Sequence, residues 1–216
     1  KDSDPDPAKG YVRSELLKRA GTLYILASHF HPDHFNKEVL QWREQRPDII
    51  YIFSKDILRH RRAQKEDAVW LKKGEEYKDE TLSVRAFGST DVGVSFLLQA
   101  GGKKIFHAGD LNNWHWMDES TEAEWKGAEK NFLHELDDLY AYTPEVDVAM
   151  FPVDPRLGKE YMRGAGQFVT KIKTHIFVPM HFTPEYAKAN AFRDFAEAHG
   201  VRFVSLTHRG QKIEIE

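Results

Sequence analysis

Ser28-His29-Phe30-His31-Pro32-Asp33-His34-Phe35 places three imidazoles and one carboxylate within six residues. Before it, Thr22-Leu23-Tyr24-Ile25-Leu26-Ala27-Ser28 is a short apolar run of buried-strand type. After it, Asn36 can cap a helix reaching about Gln45, with Val39, Leu40 and Trp42 apolar. The His/Asp stretch is therefore expected on a loop at a strand end, where side chains converge. Divalent metals such as zinc favour neutral imidazole and carboxylate ligands. Four such ligands in one compact turn can feed two neighbouring ions. A lone histidine usually reads as packing, but this His-X-His-X-Asp-His spacing does not. Its internal position and irregular order also exclude a purification tag.

The rest of the chain sets the frame. Its 216 residues are enough to bury a real core. Lys and Arg number 31 against 34 Asp and Glu, for a net charge of −3, which argues against a broad basic nucleic-acid surface. No apolar run approaches the length of a membrane span. There is no cysteine, which excludes disulfides, thiolate metal sites and cysteine nucleophiles and suits a reducing, cytoplasmic setting. The opening Lys1-Asp2-Ser3-Asp4-Pro5-Asp6-Pro7 reads as a loop and lacks the apolar core of a signal peptide.

Strand-like and helix-like runs alternate. A helix is expected from Tyr11 to Arg19, closed by Gly21, and a strand from Asp48 to Ser54. Lys55 to Lys73 mixes a charged helix with a short strand around Val69-Trp70-Leu71. Leu82 to Phe87 alternates, and Gly93–Gln99 and Lys103–His107 flank Gly101-Gly102 as a hairpin. A helix from Glu119 to Tyr140, a strand from Val146 to Val153, a helix from Met162 to Lys173 and a strand from His175 to Met180 follow. Thr183-Pro184 is expected to open a helix that Gly200 closes, before strands at Val201–Ser205 and Lys212–Ile215. The pattern predicts an α/β fold, one domain over 1–216, with two stacked sheets and helices outside: a four-layer αββα sandwich.

Two further motifs follow in order, Phe106-His107-Ala108-Gly109-Asp110 and Val178-Pro179-Met180-His181-Phe182. With the 29–34 stretch they resemble the metallo-β-lactamase fold superfamily, a large set of metal-dependent hydrolases. The resemblance runs from about Gly21 to the C-terminus and is nearest the branch of L-ascorbate-6-phosphate lactonases. It implies that His29 and His31 bind a first metal, that Asp33, His34 and His181 bind a second, and that Asp110 bridges. It implies one or two divalent ions, zinc first with manganese or iron as alternatives, and a metal-bound hydroxide that attacks a small-molecule ester, lactone or phosphate. Asp33 would orient that hydroxide or accept its proton. The alternatives are a nuclease or phosphodiesterase on the same core and a non-catalytic metal-binding domain.

The chain departs from the family pattern twice. The usual third histidine of the first site is missing from Phe87-Gly88-Ser89-Thr90-Asp91-Val92-Gly93. Asp91 can substitute as an oxygen ligand or merely order an Asx-type turn, and His107 or His115 can instead reach in. The family's N-terminal β-hairpin is also missing ahead of Lys1, so the chain reads as clipped, with one sheet edge left unpaired.

Around these motifs, the aromatics Trp114 and Trp116 in the loop after Asp110 are candidates to line a substrate pocket and His115 to contact substrate or metal, the alternative being a packed surface loop. Arg156, in Asp154-Pro155-Arg156, suits an anionic substrate group or a salt bridge, and Tyr161 is a weaker pocket candidate. His60, His134, His175, His199 and His208 lack metal-like neighbours and read as surface or packing residues. The basic run Lys55, Arg59, Arg61, Arg62 and Lys65 reads as a solvated face and not a nucleic-acid contact. Trp125, Phe132, Leu133, Leu136 and Leu139 form a stripe suited to core or dimer packing, which leaves the oligomeric state open.

Overall fold

Four layers stack in the order helices, small sheet, large sheet, helices. A computed structural model of the protein describes residues 17–215, so most of the helix expected at 11–19 lies outside the described residues. The small sheet is parallel, ordered β1 (Tyr24–Ala27), β2 (Ile50–Ser54), β3 (Val69–Leu71). The large sheet contains β4 (Glu76–Lys78), β5 (Ser83–Phe87), β6 (Ser95–Ala100), β7 (Lys103–His107), β8 (Glu145–Pro152), β9 (Lys173–Met180) and β10 (Arg202–Phe203). These run in sequential order across the sheet. β4 to β7 form an antiparallel meander, and β7 to β10 are mutually parallel.

Side-chain alternation sorts these strands into layers. In β2, Tyr51 and Phe53 point to a cluster with Phe35, Trp42 and Ile57. Ile52 points the other way, to Leu71, Val84, Val94 and Phe96 between the sheets. The outer cluster is roofed by α1 (Glu38–Gln41), its 3₁₀ continuation Trp42–Glu44, and α2 (Lys55–Arg59). In β8, Ala149 and Phe151 face the opposite helical layer, against Phe132, Leu136 and Phe168. That layer is α3 (Glu122–Tyr142), α4 (Arg163–Lys171), α5 (Tyr186–Asn190) and α6 (Arg193–Ala198). Each fully buried Phe or Leu contributes about 1.5–3 kcal/mol, so both faces of the large sheet must be covered to keep it.

Several boundaries differ from the sequence reading. α3 starts at Glu122 because Thr121 and Glu124 form a reciprocal capping box, Thr121 N–H to Glu124 Oε2 at 2.8 Å. The short strand β4 went unrecognised; Tyr77 pairs with Val84 across an antiparallel ladder. The helix expected to open at Thr183 starts instead after Glu185 and is broken into α5 and α6. Thr183 takes a left-handed φ of 51°, which no helix entry allows. Residues 212–215 form no strand, and Ile213 instead packs with Val148, Ile176 and Val204 on the face of the large sheet. Among the described residues no helix is long and apolar enough to cross a membrane.

Candidate metal centre

Parallel strands end together, and open α/β sheets place their ligands beyond those carboxyl ends. Here β1 is followed by Ser28 and His29, β7 by the turn to Asp110, β8 by Asp154, and β9 directly by His181. Both sheets therefore deliver polar side chains to one rim. Two glycines permit the close approach of the loops. Gly109 has φ +56°, and a Cβ there would lie 2.9 Å from Val94 O. Gly93 has φ +77°, and a Cβ there would collide with Ser28 O, the carbonyl that accepts Val94 N–H at 3.0 Å.

The gathered atoms form two overlapping groups that share Asp110. His29, His31, Asp91 and Asp110 offer ligand atoms within 4.8 Å of one another, and so do His34, Asp110 and His181. His29 Nε2 lies 3.4 Å from Asp110 Oδ2, and His34 Nε2 and His181 Nε2 lie 3.2 and 3.4 Å from Oδ1. Asp91 Oδ2 sits 3.7 Å from His31 Nδ1. Asp33 stands at the rim, well exposed, 3.6 Å from His34 Nε2.

A second layer of groups orients these imidazoles. Ser28 Oγ is 3.1 Å from His29 Nδ1 and 3.5 Å from His34 Nδ1. His181 Nδ1 donates to Asp154 Oδ2 at 2.9 Å, which turns Nε2 toward Asp110. Asp154 is fully buried and held in turn by Arg156, whose Nε lies 3.0 Å from both carboxylate oxygens. His181 reaches this position with a left-handed φ of 60° at the end of β9. On the other side, Asp56 Oδ2 accepts Phe30 N–H at 3.0 Å and pins the loop between His29 and His31.

The electrostatics follow from burial and neighbours. Burial pushes His29 down to about 4, helped by His34, so its ring is neutral and free to ligate at neutral pH. Burial also opposes charge on His181, but the Asp110 and Asp154 carboxylates beside it outweigh that and raise it to about 10. A cation arriving at Nε2 must therefore displace a proton. Asp110 and Asp154 are held below the usual carboxylate range: burial opposes this, and the His181 ring beside both, with Arg156 for Asp154, prevails. The donor set fits a cation on a further count. His29 Nε2 and Asp110 Oδ1 are buried and lack hydrogen-bond partners, a costly state in a folded protein unless something positive lies between them.

A cavity of about 560 Å³ opens over this centre, lined by His31, Asp33, Thr90, Asp91, Asp110, Trp114, Trp116, Arg156, His181 and Thr183. The expected Trp114 and Arg156 are both on it. Trp114 is fixed by Nε1–H donation to Asp110 O at 2.8 Å and meets the His181 ring edge-on. His107 and His115 belong to neither group. His107 Nδ1 accepts Gly109 N–H at 3.0 Å, and burial pushes its pKa down. His115 has both nitrogens occupied, Nδ1 by Met117 N–H and Nε2 by Glu160 O, each at 3.1 Å. Tyr161 donates to Lys188 O at 3.0 Å and is absent from the cavity lining. The aromatics expected after Asp110, Trp114 and Trp116, both line the cavity; sequence reasoning missed Ser28 and Thr183, and it took Asp154 only as a neighbour of Arg156. The available signal for Asp154 was its place just past β8, on the same rim as the other strand ends.

The chain belongs to the beta-lactamase superfamily: residues 9–182 match the Beta-lactamase superfamily domain. Solved structures of metallo-β-lactamase fold proteins share its architecture. Igni18, a metallo hydrolase from the hyperthermophilic archaeon Ignicoccus hospitalis, aligns with a TM-score of 0.60 at 17% identity, over 88% of this chain and 78% of that one. YhfI from Bacillus subtilis, a metallo-β-lactamase fold protein, aligns with 0.55 at 12%, over 88% and 76%. CmlA from Streptomyces venezuelae, a diiron β-hydroxylase, aligns with 0.55 at 15%, over 85% and 43%. At these identities the likeness speaks to fold alone. No curated protein matches the chain.

Proposed function

We propose that this protein is a metal-dependent hydrolase of a small-molecule ester, lactone or phosphate. One observation carries the reading: Asp110 stands between two histidine groups, with His29 Nε2 and its own Oδ1 buried and unpaired. In this reading His29, His31, Asp91 and Asp110 hold one divalent ion. His34, Asp110 and His181, with Asp33 at the rim, hold the second. We assign zinc, with manganese or iron acceptable to the same nitrogen and oxygen donors. When bound, such ions lower the pKa of coordinated water and polarise the carbonyl or phosphoryl oxygen under attack.

The chain's own residues supply the rest. Asp33, exposed to the cavity, accepts a proton at its carboxylate and releases it to solvent. Arg156 faces the cavity with its Nη1 engaged by none of the described residues, and it takes an anionic substrate group. Trp114 gives the flat apolar wall. Asp154 keeps His181 Nε2 aimed inward. A cavity of about 560 Å³ suits a small molecule better than a nucleic-acid strand. A cytoplasmic setting belongs to this reading, and the cysteine-free sequence is compatible with it.

A second reading, oxidation at a di-iron centre, draws on the same donor set and on CmlA, named as a diiron β-hydroxylase. Elemental analysis, a panel of lactone, ester and phosphodiester substrates, and an oxygen electrode separate the two. Zinc or manganese with hydrolytic turnover supports the first; iron with oxygen uptake and no hydrolysis supports the second. If His31→Ala and Asp110→Ala leave both metal content and turnover unchanged, the centre itself is disproved.

A further inference from the structure

On the outer face of the small sheet, between α1 and the end of α2, lies a second cavity of about 490 Å³. It shares no lining residue with the cavity over the metal centre. Lys37, Arg61 and Arg62 contribute three cations, Leu40 and Leu58 an apolar surface, and Asp67 the one carboxylate among the described lining residues. That carboxylate is already engaged. Its Oδ2 accepts Gln64 N–H at 2.7 Å, and its Oδ1 faces Arg43 Nη1 at 3.9 Å. Among the described residues no carboxylate pairs with Lys37, Arg61 or Arg62, and Arg62 Nε is buried without a partner.

Arg61 adds an independent observation. α2 ends in a Schellman turn, with Arg61 N–H donating to Leu58 O at 2.9 Å and Arg62 N–H to Ile57 O at 3.0 Å. That turn puts Arg61 in the left-handed region, φ +54°, where glycine is the usual residue and a long side chain is strained. Helix capping does not explain the arginine, because backbone N–H groups already satisfy those two carbonyls. The five-residue helix offers only a small dipole for a cation to complement. The strained position does place a guanidinium at the cavity. Strain kept at a single residue is grounds for seeking a use.

We propose that this cavity binds a phosphorylated small molecule, its phosphoryl group held by Arg61, Arg62 and Lys37 and its carbon portion lying on Leu40 and Leu58. Guanidinium forks match phosphoryl oxygens, and the apolar surface gives the rest of the ligand a reason to leave water. The site is separate from the metal centre and does not depend on the hydrolase reading.

Phenylphosphonate is a suitable probe, since its P–C bond survives a hydrolase. It is titrated into the metal-loaded protein at fixed ionic strength, with binding followed by calorimetry and backbone amide shifts. Saturable shifts are expected around 37 and 58–67. Arg62→Gln should weaken binding about tenfold, as expected for loss of a charge-assisted fork. Arg61→Gly should weaken it about threefold while raising Tm, since glycine relaxes the turn. Lys65→Gln, an exposed charge outside the lining, should change affinity by less than about twofold. Wild-type affinity in both arginine variants, or shifts confined to the surroundings of His31 and Asp110, would place the ligand at the metal centre and overturn the proposal. Equal losses from Lys65→Gln and Arg62→Gln would reduce it to diffuse attraction and overturn it as well.

Discussion

The two halves of the candidate centre are built unequally. Around His181 every contact is backed by another: Nδ1 is held by a fully buried Asp154, and Asp154 by Arg156. Around His31 little is backed. Its side chain is 38% exposed, its partner Asp91 is 44% exposed, and the two are 3.7 Å apart. His29 is the exception on that side, buried and steadied by Ser28. A site held by buried, hydrogen-bonded ligands loses little entropy on binding; one held by solvated side chains must first order them. The His34–Asp110–His181 half is thus preorganised, and the His29–His31–Asp91 half would have to tighten around an ion to hold one.

Asp110 is common to both, so its removal should erase the contrast. Asp110→Ala is expected to empty both halves and cut turnover on the order of 10³-fold, in the range seen when a preorganised electrostatic group is deleted. Metal content by mass spectrometry and a rate assay check this. If one ion remains at full occupancy in Asp110→Ala, Asp110 does not bridge.

Asp154→Asn tests the preorganised half alone. The amide keeps the size of the side chain but no longer offers Nδ1 a charged acceptor. Affinity for one ion should fall about 10–100-fold, the usual cost of an outer-sphere carboxylate, while the other ion keeps its affinity. Equal weakening of both ions in a chelator competition would show the halves to be a single cooperative unit.

Much of this was readable from residues alone, for identifiable reasons. His29, His31, Asp33 and His34 are close in sequence, so a single loop suffices to gather them. Asp110 and His181 were legible through the resemblance of their motifs to the family's, and the strands before them are parallel and end on one rim. Asp154 was less legible, since it acts through another side chain and depends on the left-handed turn at His181. Lys212–Ile215 alternates like a strand, but alternation does not reveal whether an edge is free. Ile213 covers the sheet face instead. His115 looked available as a ligand until both of its ring nitrogens were accounted for.

The exposed half offers a gain as well as a loss. Asp91→Ala should weaken only the ion on the His29 side, by about tenfold, since a solvated ligand is held loosely to begin with. Asp91→His should restore or exceed the original affinity, because imidazole suits the same position and zinc. The loop itself is tied down by Thr90, whose Oγ1 donates to Asn112 O at 2.6 Å and accepts Asn112 N–H at 3.0 Å. Thr90→Val should therefore reproduce part of the Asp91→Ala loss without touching a ligand.

The smallest effect on the centre should come from the opposite end of β1. There Asp79 Oδ2 accepts both Tyr24 and Tyr77 hydroxyls at 2.7 Å, and Oδ1 accepts the Thr81 and Leu82 N–H groups at 2.8 Å. This clamp joins the small sheet to β4 of the large one. The Tyr77 hydrogen bond, then that of Tyr24, holds Asp79 well below the usual carboxylate range, and Tyr77 is pushed up to about 12. A carboxyl whose folded pKa is depressed stabilises the fold above its unfolded pKa, and that contribution fades as pH falls through the folded value. Wild type should thus have a higher Tm than Asp79→Asn at pH 7, with the gap narrowing steadily below about pH 4, the ordinary aspartate value. Because the clamp bears on both sheets and on neither set of ligands, the ratio of the two metal affinities should stay at its wild-type value in Asp79→Asn. A shift in that ratio would mean that the spacing of the sheets, and not the local backing of each imidazole, sets the inequality of the two halves.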